Sequence, residues 1–280
     1  MKLRCRNRAV ALDRTAVMGV LNVTPDSFSD GDLWLRHDAA VQHGRDMVAD
    51  GAAIIDVGGE STRPGASAVH VDEEIRRILP VVEALARVPD AVVSIDTRKP
   101  AVARRAIEAG AAIVNDTSGE MAVAGMDKLI AGSGVATIVM HSRGSPTTMQ
   151  SLSNYDDVVD DVRTFLLRRA EELIAEGVSS DSIAIDPGFG FAKRKAHSLT
   201  MLNRLDEIVS LGFPVVVGPS RKSFIGSVLG LPEGERLEGT AATVAWAVAK
   251  GAHIVRVHDV APITRVVRMT EAIMHAGSAS

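Results

Sequence analysis

One cysteine, Cys5, stands in 280 residues. It excludes an internal disulfide framework and fits a reducing compartment. Aromatic residues make up only 3% of the chain, too few for a base-stacking surface. The net charge of −4 leaves no electrostatic footprint for nucleic acid or an acidic membrane. No apolar run reaches the length of a bilayer. The basic stretch from Lys2 to Arg8 is not followed by the apolar core of a signal peptide. A cytoplasmic location is therefore expected. No Gly-x-Gly-x-x-Gly follows the first strand-like segment, and no Walker A spacing occurs. Linker repeats and low-complexity runs are also missing.

What is present is a composition of 46% hydrophobic and 24% charged residues, enough for a full core. The organising stretch runs from Met18 to Gly31. Its apolar first half suits a buried strand, interrupted by Asn22 and stopped by Thr24-Pro25-Asp26. Eight apolar segments follow this pattern, at 17–23, 53–58, 92–96, 112–115, 137–141, 183–186, 215–218 and 254–258. Amphipathic segments lie between most of them, for example 38–50, 72–87, 100–109, 156–176 and 261–275. Gly51, Gly110, Gly177 and Gly251 sit where helices should end. Alternating strands and helices imply a parallel sheet with right-handed crossovers. Eight units is the count of a closed (β/α)8 TIM barrel, with an open doubly wound sheet as the rival. The expected organisation is a strand or hairpin extension over 1–14, one α/β barrel over 15–276 and a tail over 277–280.

The C-terminal ends of the eight segments are polar. In order they carry Asn22; Glu60 to Arg63; Asp96; Asn115 and Asp116; His141; Asp186; Ser220 to Lys222; and Arg256 with His258. A barrel gathers all eight ends on one rim, where ligands bind. Singly, several have a structural explanation. Asp96-Thr97 could cap a helix before Pro100, Asp186 could cap a turn at Pro187, and Asp26, Asp116 and His141 fit structural roles. Eight polar ends together are better matched by a polar ligand, because buried polar groups need partners.

Two chemistries separate. Asp96, Asn115, Asp186 and Lys222 offer donors and acceptors that suit a flat heterocycle with an amino-pyrimidinone edge. Asn22, Thr62, Arg63, Arg256 and His258 are donors and cations that suit a phosphate or diphosphate. Asn22 offers a neutral oxygen to a Mg²⁺ that keeps most of its waters. The polar segments 24–34 and 60–69 read as lids over this rim.

Leu21-Asn22-Val23-Thr24-Pro25-Asp26-Ser27-Phe28-Ser29-Asp30-Gly31 resembles the first signature of the dihydropteroate synthase family. Asp56-Val57-Gly58-Gly59-Glu60-Ser61-Thr62-Arg63-Pro64-Gly65-Ala66 resembles the second. The resemblance continues through Ser94 to Thr97, Asn115-Asp116, Met140-His141, Asp186 to Phe191, Ser220 to Lys222 and Arg256 to Val260. It implies a (β/α)8 barrel of folate biosynthesis that joins 6-hydroxymethyl-7,8-dihydropterin diphosphate to 4-aminobenzoate. By the family's pattern, Asp96, Asn115, Asp186 and Lys222 hold the pterin. Thr62, Arg63, Arg256 and His258 face the diphosphate, with Asn22 and Asp30 on Mg²⁺. Phe28, Arg63, Pro64, Phe189, Ser220 and Lys222 line the aminobenzoate pocket. Arg63, Asp96, Lys222, Arg256 and His258 are the expected catalytic set. The family is usually a homodimer and is the target of sulfonamides.

The chemistry fits these residues. A diphosphate leaving a methylene carbon needs its growing charge neutralised by cations and Mg²⁺. An electron-rich dihydropterin stabilises the cation left behind, supported by Asp96. The amine of aminobenzoate is already a nucleophile, so no activated Ser or Cys is required. Two rivals remain on sequence: a pterin-dependent methyltransferase barrel that needs a corrinoid partner, and a non-catalytic pterin-binding paralogue. The Thr62-Arg63-Pro64-Gly65 and Ser220-Arg221-Lys222 runs favour the synthase.

Overall fold

A hairpin opens the chain, pairing β1 (Lys2–Cys5) antiparallel with β2 (Arg8–Ala11). Of the alternatives over 1–14, the hairpin is the one that forms. The structure is a computed structural model that describes residues 1–24, 33–61, 68–145 and 147–276, without the side chains of 33–36. Eight parallel strands follow: β3 (Ala16–Asn22), β4 (Ile54–Gly58), β5 (Val92–Asp96), β6 (Ile113–Asp116), β7 (Ala136–Met140), β8 (Ile183–Asp186), β9 (Val216–Val217) and β10 (Ile254–Val257). Their hydrogen-bonded order is β8-β7-β6-β5-β4-β3-β10-β9. A parallel bridge between Ile185 and Val215 joins β8 to the start of β9 and closes the ring. The doubly wound alternative is thereby excluded.

Strand bounds differ from the sequence expectation by one or two residues. β9 is shorter than 215–218 because Val215 gives its N–H to the His253 ring at 3.1 Å instead of a ladder partner. Pro214, just before it, has no N–H to give. The first helix, Leu33–Ala49, starts five residues ahead of the expected 38. The helix Val71–Leu85 buries Ile78, Val81, Val82 and Leu85 against the strands, as its 3.6-residue spacing requires. The helix Val158–Ala175 is capped by Asp157, whose carboxylate accepts from Val159 N at 2.9 Å and Asp160 N at 3.2 Å. Gly51, Gly110, Gly177 and Gly251 all take positive φ where their helices end.

Strand side chains alternate between two cores. Val17, Leu21, Ile55, Val57, Val93, Ile95, Val114 and Val139 face the helices. Met18, Ile54, Val92, Ile113, Ile138, Ala184, Val216 and Ile254 face inward and meet Leu3, Cys5, Val10 and Leu12 of the hairpin segment. The hairpin is thus a plug that seals the N-terminal end of the barrel. Each fully buried Leu or Ile here contributes about 1.5–3 kcal/mol.

Candidate active site

The period of two that places Met18, Ile54 and Ala184 inside the barrel carries the same parity to the opposite rim. Asn22, Asp56, Asp96, Asn115, Asp186, Arg256 and His258 share it. Asp116 and His141 have the other parity and face the helices. Asp116 accepts from Ser118 N at 3.0 Å, a turn cap. His141 is buried edge-on against Phe165, with ring centroids 5.0 Å apart. Both therefore have structural roles.

The inward polar layer is built around Arg256. Its Nε donates to Asp56 Oδ2 and its Nη2 to Asp96 Oδ2, each at 2.7 Å. Asn115 Nδ2 donates to Asp56 Oδ2 at 3.0 Å, and Thr117 Oγ1 donates to Asp96 Oδ1 at 3.3 Å. Burial opposes the charge on Arg256, but Asp56 and Asp96 outweigh it and raise its pKa further. Burial pushes Asp96 up to about 7; Arg256 opposes this and Asp56 adds to it. Asp56 Oδ1 and its register neighbour Ser94 Oγ are buried without a hydrogen-bond partner among the described residues. A polar ligand or water would satisfy them.

Asp186 closes the layer on the far side. Its Oδ1 accepts from Gly188 N at 2.7 Å, so it does cap a turn, and burial raises its pKa. The nearby charges of Lys222 and Arg256 work in the other direction. Lys222 places its Nζ 4.2 Å from the centre of the Phe191 ring. Ser220 Oγ lies 3.0 Å from His258 Nδ1 and accepts from His258 N at 3.2 Å, tying the ends of β9 and β10 together. Asn22 Oδ1 and the Asp96 side chain converge over Gly58, where an added Cβ would lie 3.6 and 3.7 Å from them. Glycine keeps that part of the mouth open.

The structure thus gathers Asn22, Asp96, Asn115, Asp186, Ser220, Lys222, Arg256 and His258 around one mouth. Arg256 lies within the first chemical set rather than apart with the second. Phe189, expected in the aminobenzoate wall, is only 1% exposed and packs toward Phe224. Phe28, Asp30, Thr62, Arg63 and Pro64 lie outside the described residues, as do Asp26 and the tail 277–280.

The roles of three groups escaped the sequence reading. Asp56 sits in mid-strand within an apolar run, and only its inward parity could have exposed it. Lys193 is buried at the end of a Gly-rich turn. Glu60 anchors a charge cluster at the neck of the second polar segment. It accepts from Lys99 Nζ, from Arg98 Nη2 at 2.8 Å and from Val69 N at 2.9 Å. Burial opposes the Glu60 charge, but these donors outweigh it and lower its pKa. Lys99 also reaches Glu74 Oε2 at 2.6 Å and Val69 O at 2.7 Å. A cavity of about 360 Å³ beside the mouth is lined by Arg98, Thr117, Met149 and Phe191 among others.

Residues 18–258 match the family described as pterin binding enzyme. The chain is 45% identical over 267 residues to the dihydropteroate synthase of Synechocystis sp., covering 93% of this chain and 90% of that protein. It is similar in structure to the Yersinia pestis dihydropteroate synthase with a sulfonamide drug complex. The TM-score is 0.92 at 41% identity, over 98% of this chain and 99% of that one. The Xanthomonas albilineans dihydropteroate synthase with 4-aminobenzoic acid gives a TM-score of 0.91 at 40% identity, over 98% of each chain.

Proposed function

The chain belongs to the dihydropteroate synthases, within the pterin binding enzymes, and from that premise we propose which of its residues carry the chemistry. The reaction condenses 6-hydroxymethyl-7,8-dihydropterin diphosphate with 4-aminobenzoate, giving 7,8-dihydropteroate and diphosphate. The observation that carries the residue assignment is the layer of buried Asp56, Asp96, Asn115 and Asp186 around a part-buried Arg256, above an apolar floor. Such a layer favours a flat, polar, hydrogen-bonding ring.

Asp186 accepts from the amino-pyrimidinone edge, Asn115 and Lys222 address other ring heteroatoms, and Asp96 faces the ring as positive charge grows on it. Arg256 keeps that layer near electrical balance. His258, one pleat above Arg256, joins Thr62 and Arg63 on the diphosphate. The C–O bond of the methylene breaks, and its electron pair leaves with the diphosphate. The amine nitrogen of aminobenzoate then bonds to that carbon and loses a proton to solvent. Ser220, with Phe28, Pro64 and Lys222, lines the aminobenzoate side.

Mg²⁺ fits the donor at Asn22, a hard neutral oxygen at an open mouth beside the expected diphosphate, with Asp30 as a second ligand. When bound, the ion supplies charge neutralisation to the leaving diphosphate.

The helices Ser223–Leu229, Leu237–Ala249 and Val260–Met274 leave Val228, Leu229, Trp246, Met269 and Ile273 exposed. A second copy of the chain is the occupant we assign to this face, as a homodimer. Among the described residues no helix is long and apolar enough to cross a membrane. A cytoplasmic site of action is part of this proposal, and the free, buried Cys5 supports it. Sulfonamides, which share the aminophenyl group of aminobenzoate, are expected to compete with it.

The decisive assay is diphosphate release from the pterin diphosphate. Release that depends on aminobenzoate supports the assignment, and no release with either substrate alone or both together refutes it.

A further inference from the structure

Among the buried charged groups that the mechanism does not use is Lys193. Lys193 is 4% exposed, and its Nζ reaches His141 Nδ1 at 2.8 Å, Phe191 O at 3.0 Å and His141 O at 3.3 Å. An ammonium has three donors, and all three are met. Burial pushes Lys193 down to about 7; Asp186 opposes this, while Arg143 and Lys222 assist it. Burial, then Lys193 and Arg143, hold His141 down to about 2, so its imidazole is neutral and its Nδ1 accepts.

The turn that Lys193 ends is unusual in its backbone. Gly188, Gly190 and Ala192 take φ of 70°, 81° and 51°. The left-handed region costs an alanine about 1–2 kcal/mol, so something must hold Ala192 there. Gly188 is pressed so close to β7 that an added Cβ would lie 2.0 Å from His141 O. The two ends of the turn serve the two sides of the pterin pocket. Asp186 accepts from Gly188 N at its start. Near its finish, Gly190 underlies the Lys222 stem, with an added Cβ only 3.3 Å from Cδ, and the Phe191 ring lies beneath Nζ.

We propose that Lys193 is a positioning residue for the pterin: its ammonium staples the 187–193 turn to the end of β7 and so holds Gly190 and Phe191 under Lys222. The inference rests on the assignment of Asp186 and Lys222 to the pterin. It separates Lys193 from a residue that only adds stability, because the Lys222 side chain is its target.

The test is calorimetry with 6-hydroxymethyl-7,8-dihydropterin, paired with steady-state kinetics. Lys193→Met keeps the stem and removes the three hydrogen bonds. It should weaken pterin binding by on the order of tenfold or more. KM for the pterin diphosphate should rise by a similar factor. Adding Ala192→Gly relieves the strained φ and should recover part of the loss. A folded Lys193→Met protein with wild-type pterin affinity, or a double variant with no recovery, overturns the proposal. Should Lys193→Met not fold, Phe191→Leu removes the ring under Lys222 and leaves the staple in place. Unchanged pterin affinity in that variant also overturns it. Lys222→Met is the control for the underlying assignment. If it binds pterin normally, the pocket reading fails. If it loses binding while Lys193→Met does not, only the role of Lys193 fails.

Discussion

Replacing Asp96 by asparagine should change how stability depends on pH, in a direction the structure fixes. Burial raises the Asp96 carboxyl from an ordinary 3.8 to about 7, with Arg256 opposing and Asp56 adding. The native protein therefore keeps a proton that the unfolded chain gives up. That proton's contribution to stability is fully present below the unfolded pKa and is lost as pH rises through about 7. At about 1.4 kcal/mol per pKa unit, the upper bound is roughly 4 kcal/mol. Asparagine mimics the protonated acid, and its oxygen can still accept from Arg256. Wild type and Asp96→Asn should thus be similarly stable near about pH 4, and the variant should gain relative to wild type up to about pH 8. Urea denaturation of both proteins across that range gives the difference directly. A stability gap that stays flat between the two limits refutes the reasoning. So does a gap that moves the other way.

Asp186→Asn puts an N–H where the amino-pyrimidinone edge offers its own. Leaving a buried group unpaired costs about 1–3 kcal/mol, so pterin affinity should fall roughly ten- to a hundredfold in a folded protein. Wild-type affinity by calorimetry would remove Asp186 from the pocket. Gly188→Ala drives a methyl to within 2.0 Å of the His141 carbonyl at a φ of 70°. Its cost should be on the order of 3 kcal/mol or more, and a thermal midpoint within about 2 °C of the parent contradicts that. Aminobenzoate should bind measurably only with Mg²⁺-diphosphate or the pterin diphosphate present. On the proposed assignment its pocket draws on Phe28 and Pro64, which lie close in sequence to the proposed diphosphate residues Asn22, Thr62 and Arg63. Equal affinity with and without Mg²⁺-diphosphate would show a preformed pocket.

The barrel was legible because its strands are buried on both faces and read as separate apolar runs, with charged helices between them. The rim was legible because polar residues ended those runs. Asp56 was not, because a single carboxylate between Ile55 and Val57 looks like an interruption until its parity with Ile54 is fixed by register. Parity also explains why Asp116 and His141 sit beside site residues in sequence yet face the helices. Lys193 and the Glu60–Lys99 cluster depend on which loops meet in space, and the partners of Glu60 come from two separate segments. No local pattern encodes that. The shortness of β9 was equally hidden, since it follows from the His253 ring taking the Val215 N–H.

The plug formed by the hairpin has a consequence for traffic. Leu3 and Cys5 are fully buried against Met18, Ile54 and Ile254, so the barrel is a vessel with one door. Whatever lies deepest must enter first, and a second molecule bound above it blocks its retreat. On the proposed assignment, the aminobenzoate end of the product is the end that emerges first. An aminobenzoate that arrives early stands in the doorway of its own reaction.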